Sequence, residues 1–258
     1  MNRVPQPDIE QRVEHERTFY NTTSGFSLYR LLRRLIWRAI GEFNRHGELD
    51  TLFDPAGKVV LQYGCGPGIG VEALLQRGAI HVTGIDISEE EIGLAQRAAQ
   101  EGGYTERVDF HAADAHRTDF AEDSFDLIVG HSILHHLDLP VALAELRRIL
   151  RPGGRAVFLE PLAANPFLRL GRLLTPGART PDEHPLTVAD WELCASIFPQ
   201  FSHVEVELVS IPLMPLNLVV PRRLQRSLAR RVAALDDALL KRWPALRPYA
   251  RLTFLILE

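Results

Sequence analysis

The stretch Val59-Val60-Leu61-Gln62-Tyr63-Gly64-Cys65-Gly66-Pro67-Gly68-Ile69-Gly70 limits what this chain can fold into more than any other. A short apolar run with β-branched residues reads as a buried strand, and it stops at alternating glycines. Val71 to Arg77 then has helical composition. A strand, a glycine turn and a helix in succession make a cradle, because glycine lets backbone N–H groups approach a ligand that side chains would hold off.

Strands and helices alternate beyond it. Strands are expected over 79–86, 107–112, 125–130 and 155–159, with helices over 88–101 and 140–150. Ser88 with Glu91 makes a capping box, and Arg151-Pro152-Gly153-Gly154 ends the second helix. This rhythm predicts an α/β fold, a doubly wound and mostly parallel seven-stranded sheet with helices on both faces.

The flanks differ in character. Residues 1–18 are polar and are expected to be loosely ordered, and a helix is expected over 27–43, where leucines and isoleucines share one face. Five prolines between 161 and 186 argue against a long regular element there. A helix from Thr187 to about Phe198, a strand over 204–211, a helix over 222–242 and a closing strand over 252–257 follow. The organisation read from this is an N-terminal helical lid (1–54) and a main domain (55–258). The main domain carries an acceptor-loop region (161–186) and a helical insertion (212–247) before the last strand.

A net charge of −4 over 258 residues argues against a nucleic-acid partner. Cys65 and Cys194 form neither a disulfide framework nor a zinc set, which fits a reducing, cytoplasmic setting. No charged-then-apolar leader and no run of transmembrane length is seen, so export and membrane spanning are not expected. Arg222, Arg223, Arg226, Arg230 and Arg231 share a helix with Leu224, Leu228, Val232 and Leu235. The plain reading is a helix packed on the core with its arginines wet; the sharper one is a weak membrane-surface contact.

The spacing of the glycines narrows the ligand. A P-loop requires Gly-Lys followed by Ser or Thr, and the dinucleotide fingerprint counted from Gly64 falls on Ile69 in its last position, so both fail. The G-x-G-x-G of Gly64, Gly66 and Gly68 fits instead. The next strand ends in Gly84-Ile85-Asp86, where a carboxylate can accept two ribose hydroxyls. Ala112-Ala113-Asp114-Ala115 puts a second carboxylate one strand further on. Phe125 to Val129 leads into Gly130-His131-Ser132-Ile133-Leu134-His135-His136-Leu137.

This ordered series, over residues 59–160, resembles the class I S-adenosylmethionine-dependent methyltransferases. The resemblance implies a small-molecule acceptor, apolar or lipid-like, with S-adenosylmethionine as donor and S-adenosylhomocysteine as product. It implies that Gly64, Cys65, Gly66 and Gly68 wrap the amino-acid part of the cofactor, Asp86 with Ile87 the ribose, and Asp114 with Ala115 the adenine. The resemblance also implies that His131 lies beside the cofactor and that Tyr20 closes a lid over it, a staple of the segment to the core being the plainer alternative for Tyr20. Gln62 departs from the family, which usually carries a carboxylate there; it can still accept a hydrogen bond from the cofactor's amino group, without charge.

The acceptor side is read from the residues after the fourth strand. His135 is the general-base candidate. Glu160, ending the fifth strand, and His184, in the proline-rich loop, are candidates for an acid–base or substrate-orienting pair, with capping or a salt bridge as the plainer role for Glu160. His131 and His135 lie four apart, but a metalloprotease helix would need Glu where Ser132 stands and no third ligand is evident, so no metal is expected. Two other functions stay open: a non-methylating protein on the same fold, with Gln62 as the reason, and a nicotinamide-dependent oxidoreductase, which the failed fingerprint opposes.

Overall fold

The computed structural model describes residues 8–23, 44–174, 180, 182–213 and 219–258. Seven strands form one sheet: β1 (Val59–Tyr63), β2 (His81–Asp86), β3 (Val108–Ala112), β4 (Phe125–His131), β5 (Leu150–Pro161), β6 (Phe201–Val206) and β7 (Leu252–Leu257). Their order is β3-β2-β1-β4-β5-β7-β6. The first five run parallel, and β7 inserts antiparallel between β5 and β6. The expected mostly parallel seven-stranded sheet is the one observed.

The helices are α1 (Ile9–Thr23), α2 (Val71–Gln76), α3 (Glu89–Gly102), α4 (Leu139–Ile149), α5 (Pro166–Leu174), α6 (Val188–Ile197), the short α7 (Ser210–Leu213) and α8 (Arg222–Arg242). Successive strand residues point to opposite faces, so each strand feeds two cores. Leu61, Ile128 and Phe158 pack with α4 and α6 on one face. Val60, Leu127 and Val157 pack with α2 on the other. Each large apolar side chain so buried contributes roughly 2 kcal/mol, and the two layers together fix the helices on the sheet.

Several boundaries differ from expectation. Residues before Phe19 form most of α1 rather than loose chain. The buried positions of α1 include Arg12 and Glu16, four residues apart, so the helix docks through polar side chains and shows little apolar periodicity. β6 ends at Val206, where the expected strand continued to Ile211. Glu207 takes a left-handed φ of 67°, which stops the strand, and its buried carboxylate accepts the Arg45 N–H (2.9 Å) and a bond from Arg251. In the proline-rich region α5 forms because Pro166 sits in the first turn, where no N–H is required, and Asn165 Oδ1 caps the amides of Phe167 and Leu168 (both 3.0 Å). The expected turn at 151–154 is absorbed into β5 as a register shift between Phe125 and Leu127 of its partner.

On α8, Ala229 and Val232 are buried against Leu228, Val209, Ile211 and Leu213, while Arg223, Arg226, Arg230 and Arg231 are exposed. Among the described residues no helix is long and apolar enough to cross a membrane. The helix expected over 27–43 lies outside the described residues.

Candidate active site

The carboxyl ends of β1, β2 and β4 finish level: Tyr63 pairs with Ile85 on one side and Gly130 on the other. Strand order reverses between β1 and β4, and a crevice opens at that point. A cavity of about 360 Å³ lies there. This is toward the lower end of the size that holds one small ligand.

The glycine turn forms one wall. Gly64 has φ +73°, and a Cβ on it would come within 2.9 Å of Ile133. Gly66 has φ +50°, and nothing among the described residues lies within 4 Å of where its Cβ would stand, so a side chain there would enter the cradle itself. The turn is fastened to the next strand by Asp86, whose Oδ2 accepts the Gly66 N–H (2.8 Å) while Oδ1 accepts that of Ser88 (3.0 Å). Burial pushes the Asp86 carboxyl up from its ordinary value, and the amides of Ser88, Gly66 and Ile87 pull it back only partly.

Gln62 sits behind the turn. Its Nε2 donates to the Ile69 carbonyl (2.6 Å), and its buried Oε1 has no hydrogen-bond partner among the described residues. A buried acceptor without a donor costs about 1–3 kcal/mol. Cys65 is buried beneath the turn and Gly68 packs on Ala95; neither faces the cavity. Burial first, and then Asp86, push the Cys65 thiol far up, so it is inert.

Asp86, Ile87, Asp114, Ala115 and His131 all line the cavity. Asp114 Oδ1 accepts both the His116 amide (2.9 Å) and His116 Nδ1–H (2.7 Å), and His116 Nε2 accepts the Asp138 amide (2.8 Å). Burial would raise the Asp114 carboxyl, but the bonds from His116 outweigh it and hold it below the usual range. His131 Nε2 lies 2.9 Å from His46 Nδ1, and Arg251 Nη2 lies 3.0 Å from His46 Nε2. Burial, then the charges of His131 and Arg251, push His46 down to about 3. Tyr20 falls within α1, and its side chain is outside the described set.

Ser132 takes a left-handed φ of 56°, a conformation costing a β-carbon residue of order 1 kcal/mol. It turns the chain from β4 into the 3₁₀ turn Leu134–His136. Glu160 fixes that turn from below. It is fully buried; Oε1 accepts the amides of Ile133 and Leu134 (both 2.9 Å), and Oε2 accepts His135 Nδ1–H (2.7 Å). Burial alone would raise this carboxyl, but the His135 bond and the two amides hold it below the ordinary range. Burial and neighbouring His136 push His135 down, so it is neutral.

The expected Glu160–His184 pair is not formed. Glu160 is bound to His135, whereas His184 Nδ1 lies 3.3 Å from Arg12 Nη2. His135 and Glu160 do not line the cavity; His136 does, with Nδ1 3.0 Å from Glu16 Oε1. Burial lowers His136, but the bond and charge of Glu16 prevail and raise it.

Arg12 and Glu16, both of which line the cavity, were not visible as site residues in the sequence. Arg12 donates to the Asp182 carbonyl (3.0 Å), His15 Nδ1 meets Asp182 Oδ2 (2.8 Å), and Glu16 Oε1 accepts from Thr180. The only signal was a charged pair four apart in a stretch without apolar periodicity. His116 was also missed; it follows Asp114 by two residues, the span of an Asx-type bond.

A doubly wound sheet with a glycine turn, two acidic strand ends and a cavity at the switch point defines a protein that binds a nucleoside-type cofactor. Residues 61–158 match the family model described as a methyltransferase domain. Over 164 residues the chain is 40% identical to a ubiquinone biosynthesis O-methyltransferase of Aromatoleum aromaticum, covering 61% of this chain and 63% of that one. Over 140 residues it is 34% identical to the enzyme so named in Aeromonas salmonicida, covering 50% and 58%. The chain thus spans about six tenths of the length of these relatives. Its fold is like that of geranyl diphosphate C-methyltransferase from Streptomyces coelicolor, solved with Mg²⁺, geranyl diphosphate and S-adenosyl-L-homocysteine (TM-score 0.57, 16% identity, 82% of this chain and 78% of that one). The similarity to methyltransferases thus covers residues 61–158 in the family model and 164 residues in the relative from Aromatoleum aromaticum.

Proposed function

We propose that the chain transfers a methyl group from S-adenosylmethionine to the oxygen of a small, largely apolar, hydroxyl-bearing acceptor. The observation that carries this reading is the cradle: Gly66 and Asp86 line the cavity at the strand ends, and behind the turn the buried Gln62 oxygen has no hydrogen-bond partner among the described residues. Gln62 Oε1 would take the cofactor's ammonium, Asp86 the ribose hydroxyls through the remaining lone pairs of its two oxygens, and Asp114 Oδ2 the adenine amino group. When bound, the sulfonium supplies an already activated methyl group, so the protein's task is to align a nucleophile with it.

His136, held by Glu16 on the cavity wall, is the polar group that would orient the acceptor hydroxyl. Glu160 and His135 would act through it, fixing the turn on which His136 stands. α1 and the loop at 180–184, clasped through Arg12, His15 and Glu16, would exclude water from the acceptor end. The oxygen acceptor is supported by the relatives named as O-methyltransferases, and the apolar acceptor by Val13, Ile133 and Leu137 on the cavity wall.

The test is calorimetric titration with S-adenosylmethionine, S-adenosylhomocysteine and NAD, followed by transfer of a labelled methyl group to a panel of prenylated and unprenylated phenols. Micromolar binding of the first two with label in a phenol ether is expected. Binding without transfer to any acceptor would favour the non-methylating reading, and binding of NAD alone would overturn the proposal.

A further inference from the structure

We propose that Arg12 and Glu16 of α1 form the seat of the acceptor hydroxyl, Arg12 Nε–H donating to its oxygen and Glu16 Oε2 accepting its proton. Both residues line the cavity, and both are more than nine-tenths buried, at 2% and 7% exposure. Residues four apart on a helix share a face, and an Arg–Glu pair so placed commonly meets as an ion pair. Here each is drawn elsewhere. Arg12 Nη2 donates to the Asp182 carbonyl (3.0 Å) and lies 3.3 Å from His184 Nδ1. Glu16 Oε1 meets His136 Nδ1 (3.0 Å) and accepts from Thr180. What remains is one donor, Arg12 Nε–H, and one acceptor, Glu16 Oε2, both buried and without a hydrogen-bond partner among the described residues.

One chemical group answers both. A hydroxyl offers a hydrogen and lone pairs on a single atom. A carboxylate would satisfy Arg12 and be repelled by Glu16, and a protonated amine would satisfy Glu16 and bring no lone pair to Arg12. An oxygen bridging two partners at about 2.8 Å each spans about 5 Å, the order of the separation between side chains four apart on a helix. Charges of both signs meet in this corner. His136, lowered by burial and raised more by Glu16, stands with Arg12 on the positive side. Glu16, Asp138 and Asp182 are negative, with His15 beside Asp182 (2.8 Å) and Arg172 beside Glu183 (3.7 Å). An anionic acceptor would be repelled by these carboxylates, and a neutral hydroxyl is not.

This assignment rests on the methyl-transfer reading and adds to it the path of the proton. The acceptor O–H bond breaks as its proton passes to Glu16 Oε2, and Arg12 Nε–H stabilises the charge that builds on oxygen. A lone pair of that oxygen forms the O–CH₃ bond while the C–S bond breaks, and the electron pair of that bond stays on sulfur. Once the ether leaves, water takes the proton from Glu16.

The test uses the full chain, with S-adenosylhomocysteine for binding and S-adenosylmethionine for turnover. Its two probes are phenol, which ionises only near about pH 10, and 4-nitrophenol, which ionises unaided at pH 8. By calorimetry the parent should bind phenol, with Kd about tenfold weaker in Glu16→Gln and in Arg12→Lys, which keeps a cation but loses Nε–H. In turnover at pH 8, Glu16→Gln should lower kcat about 100-fold for phenol and no more than about threefold for 4-nitrophenol, and Glu16→Asp should recover part of the loss. Thr180→Val, which frees Glu16 Oε1 of one bond and leaves Oε2 alone, should lower kcat for both probes by one factor. The same flat ratio in Glu16→Gln would mean that Glu16 only fastens the loop, and it overturns the proposal. No phenol bound at about 10 mM, or phenol Kd unchanged in both variants, overturns it too. So does S-adenosylhomocysteine binding weakened tenfold or more in Glu16→Gln, which would place the pair on the donor. If Glu16→Gln fails to fold, the phenol Kd of Arg12→Lys decides. A parent that does not bind S-adenosylhomocysteine, or binds the probes without methylating either, overturns the methyl-transfer reading, and the phenol Kd values then decide the hydroxyl seat alone.

Discussion

Replacing Glu160 by Gln should reduce stability by about 2–3 kcal/mol while leaving the sheet intact. The carboxylate accepts three short bonds, from Ile133 N–H, Leu134 N–H and His135 Nδ1–H, and a longer one from the His135 backbone N–H (3.4 Å), and has no contact with water. Its pKa is held down despite complete burial, so these bonds outweigh the desolvation of the charge. A neutral amide of the same shape turns three charge-assisted bonds into ordinary ones, at roughly 1 kcal/mol each, and places an NH₂ group against a donor unless His135 changes tautomer. The lower end of the range covers that change. Urea unfolding at pH 7 should show a lower midpoint and an unchanged slope, and the melting temperature should fall by about 3 °C per kcal/mol. Because the folded pKa is depressed, the contribution of Glu160 is complete above the unfolded value of about 4.3 and is lost as pH falls toward the folded value. The gap between parent and variant should therefore be flat from pH 6 to 8 and close below about 4.5. A variant within about 0.5 kcal/mol of the parent at pH 7, or a gap that persists in acid, would refute the reasoning.

Gly66→Ala should fold, at a cost of about 1 kcal/mol for its left-handed φ, yet lose at least tenfold in S-adenosylhomocysteine affinity because the new methyl stands in the cradle; unchanged calorimetric Kd would refute the cradle. Asp86→Asn should weaken the same ligand by about 10–100-fold, the difference between charge-assisted and neutral bonds to two hydroxyls. In the parent that affinity should start to fall at a higher pH than for an ordinary carboxylate, since burial raises Asp86. His46, pushed down to about 3, takes a proton in the unfolded chain near pH 6.5 and not in the folded one. Stability should then fall by about 1.4 kcal/mol per pH unit from this group as pH drops below 6.5, and His46→Gln should flatten that slope in urea titrations at pH 5 and 7.5.

The cluster at the ends of β1, β2 and β3 was legible because it is local. Gly64 and Gly66 come within three residues of the end of β1, Asp86 ends β2 and Asp114 lies two residues past β3, and parallel pairing brings strand ends together without further information. The acceptor half depends on contacts that sequence spacing cannot express. Glu16 meets His136 across 120 residues, Arg12 meets His184 across 172, and Glu160 reaches back 25 residues to His135. The sequence marked Glu160, His135 and His184 as chemically interesting but paired Glu160 with His184, whereas β5 lies beneath the turn and binds His135, and the proline-rich loop, tied by its backbone to His135 and Pro161, sets the His184 ring against Arg12. α1 itself was misread as loose chain because its buried face is polar.

That polar face bears on how the site works. Arg12 is almost fully buried, and burial pulls its guanidinium pKa down in spite of Asp182, Asp138 and Glu16 nearby. Its Nε and the Glu16 Oε2 have no hydrogen-bond partner among the described residues. An apolar helix in the same place would pack more cheaply, since a buried charge is worth retaining for stability only when every polar atom is satisfied. The incomplete bonding of α1 therefore fits a surface arranged for something that enters the cavity. The same residues that fasten α1 to the 180–184 loop, Arg12 and Glu16, also line the space that the acceptor would occupy. Binding at the acceptor end and closure of α1 over it thus draw on one set of hydrogen bonds, and each should strengthen the other.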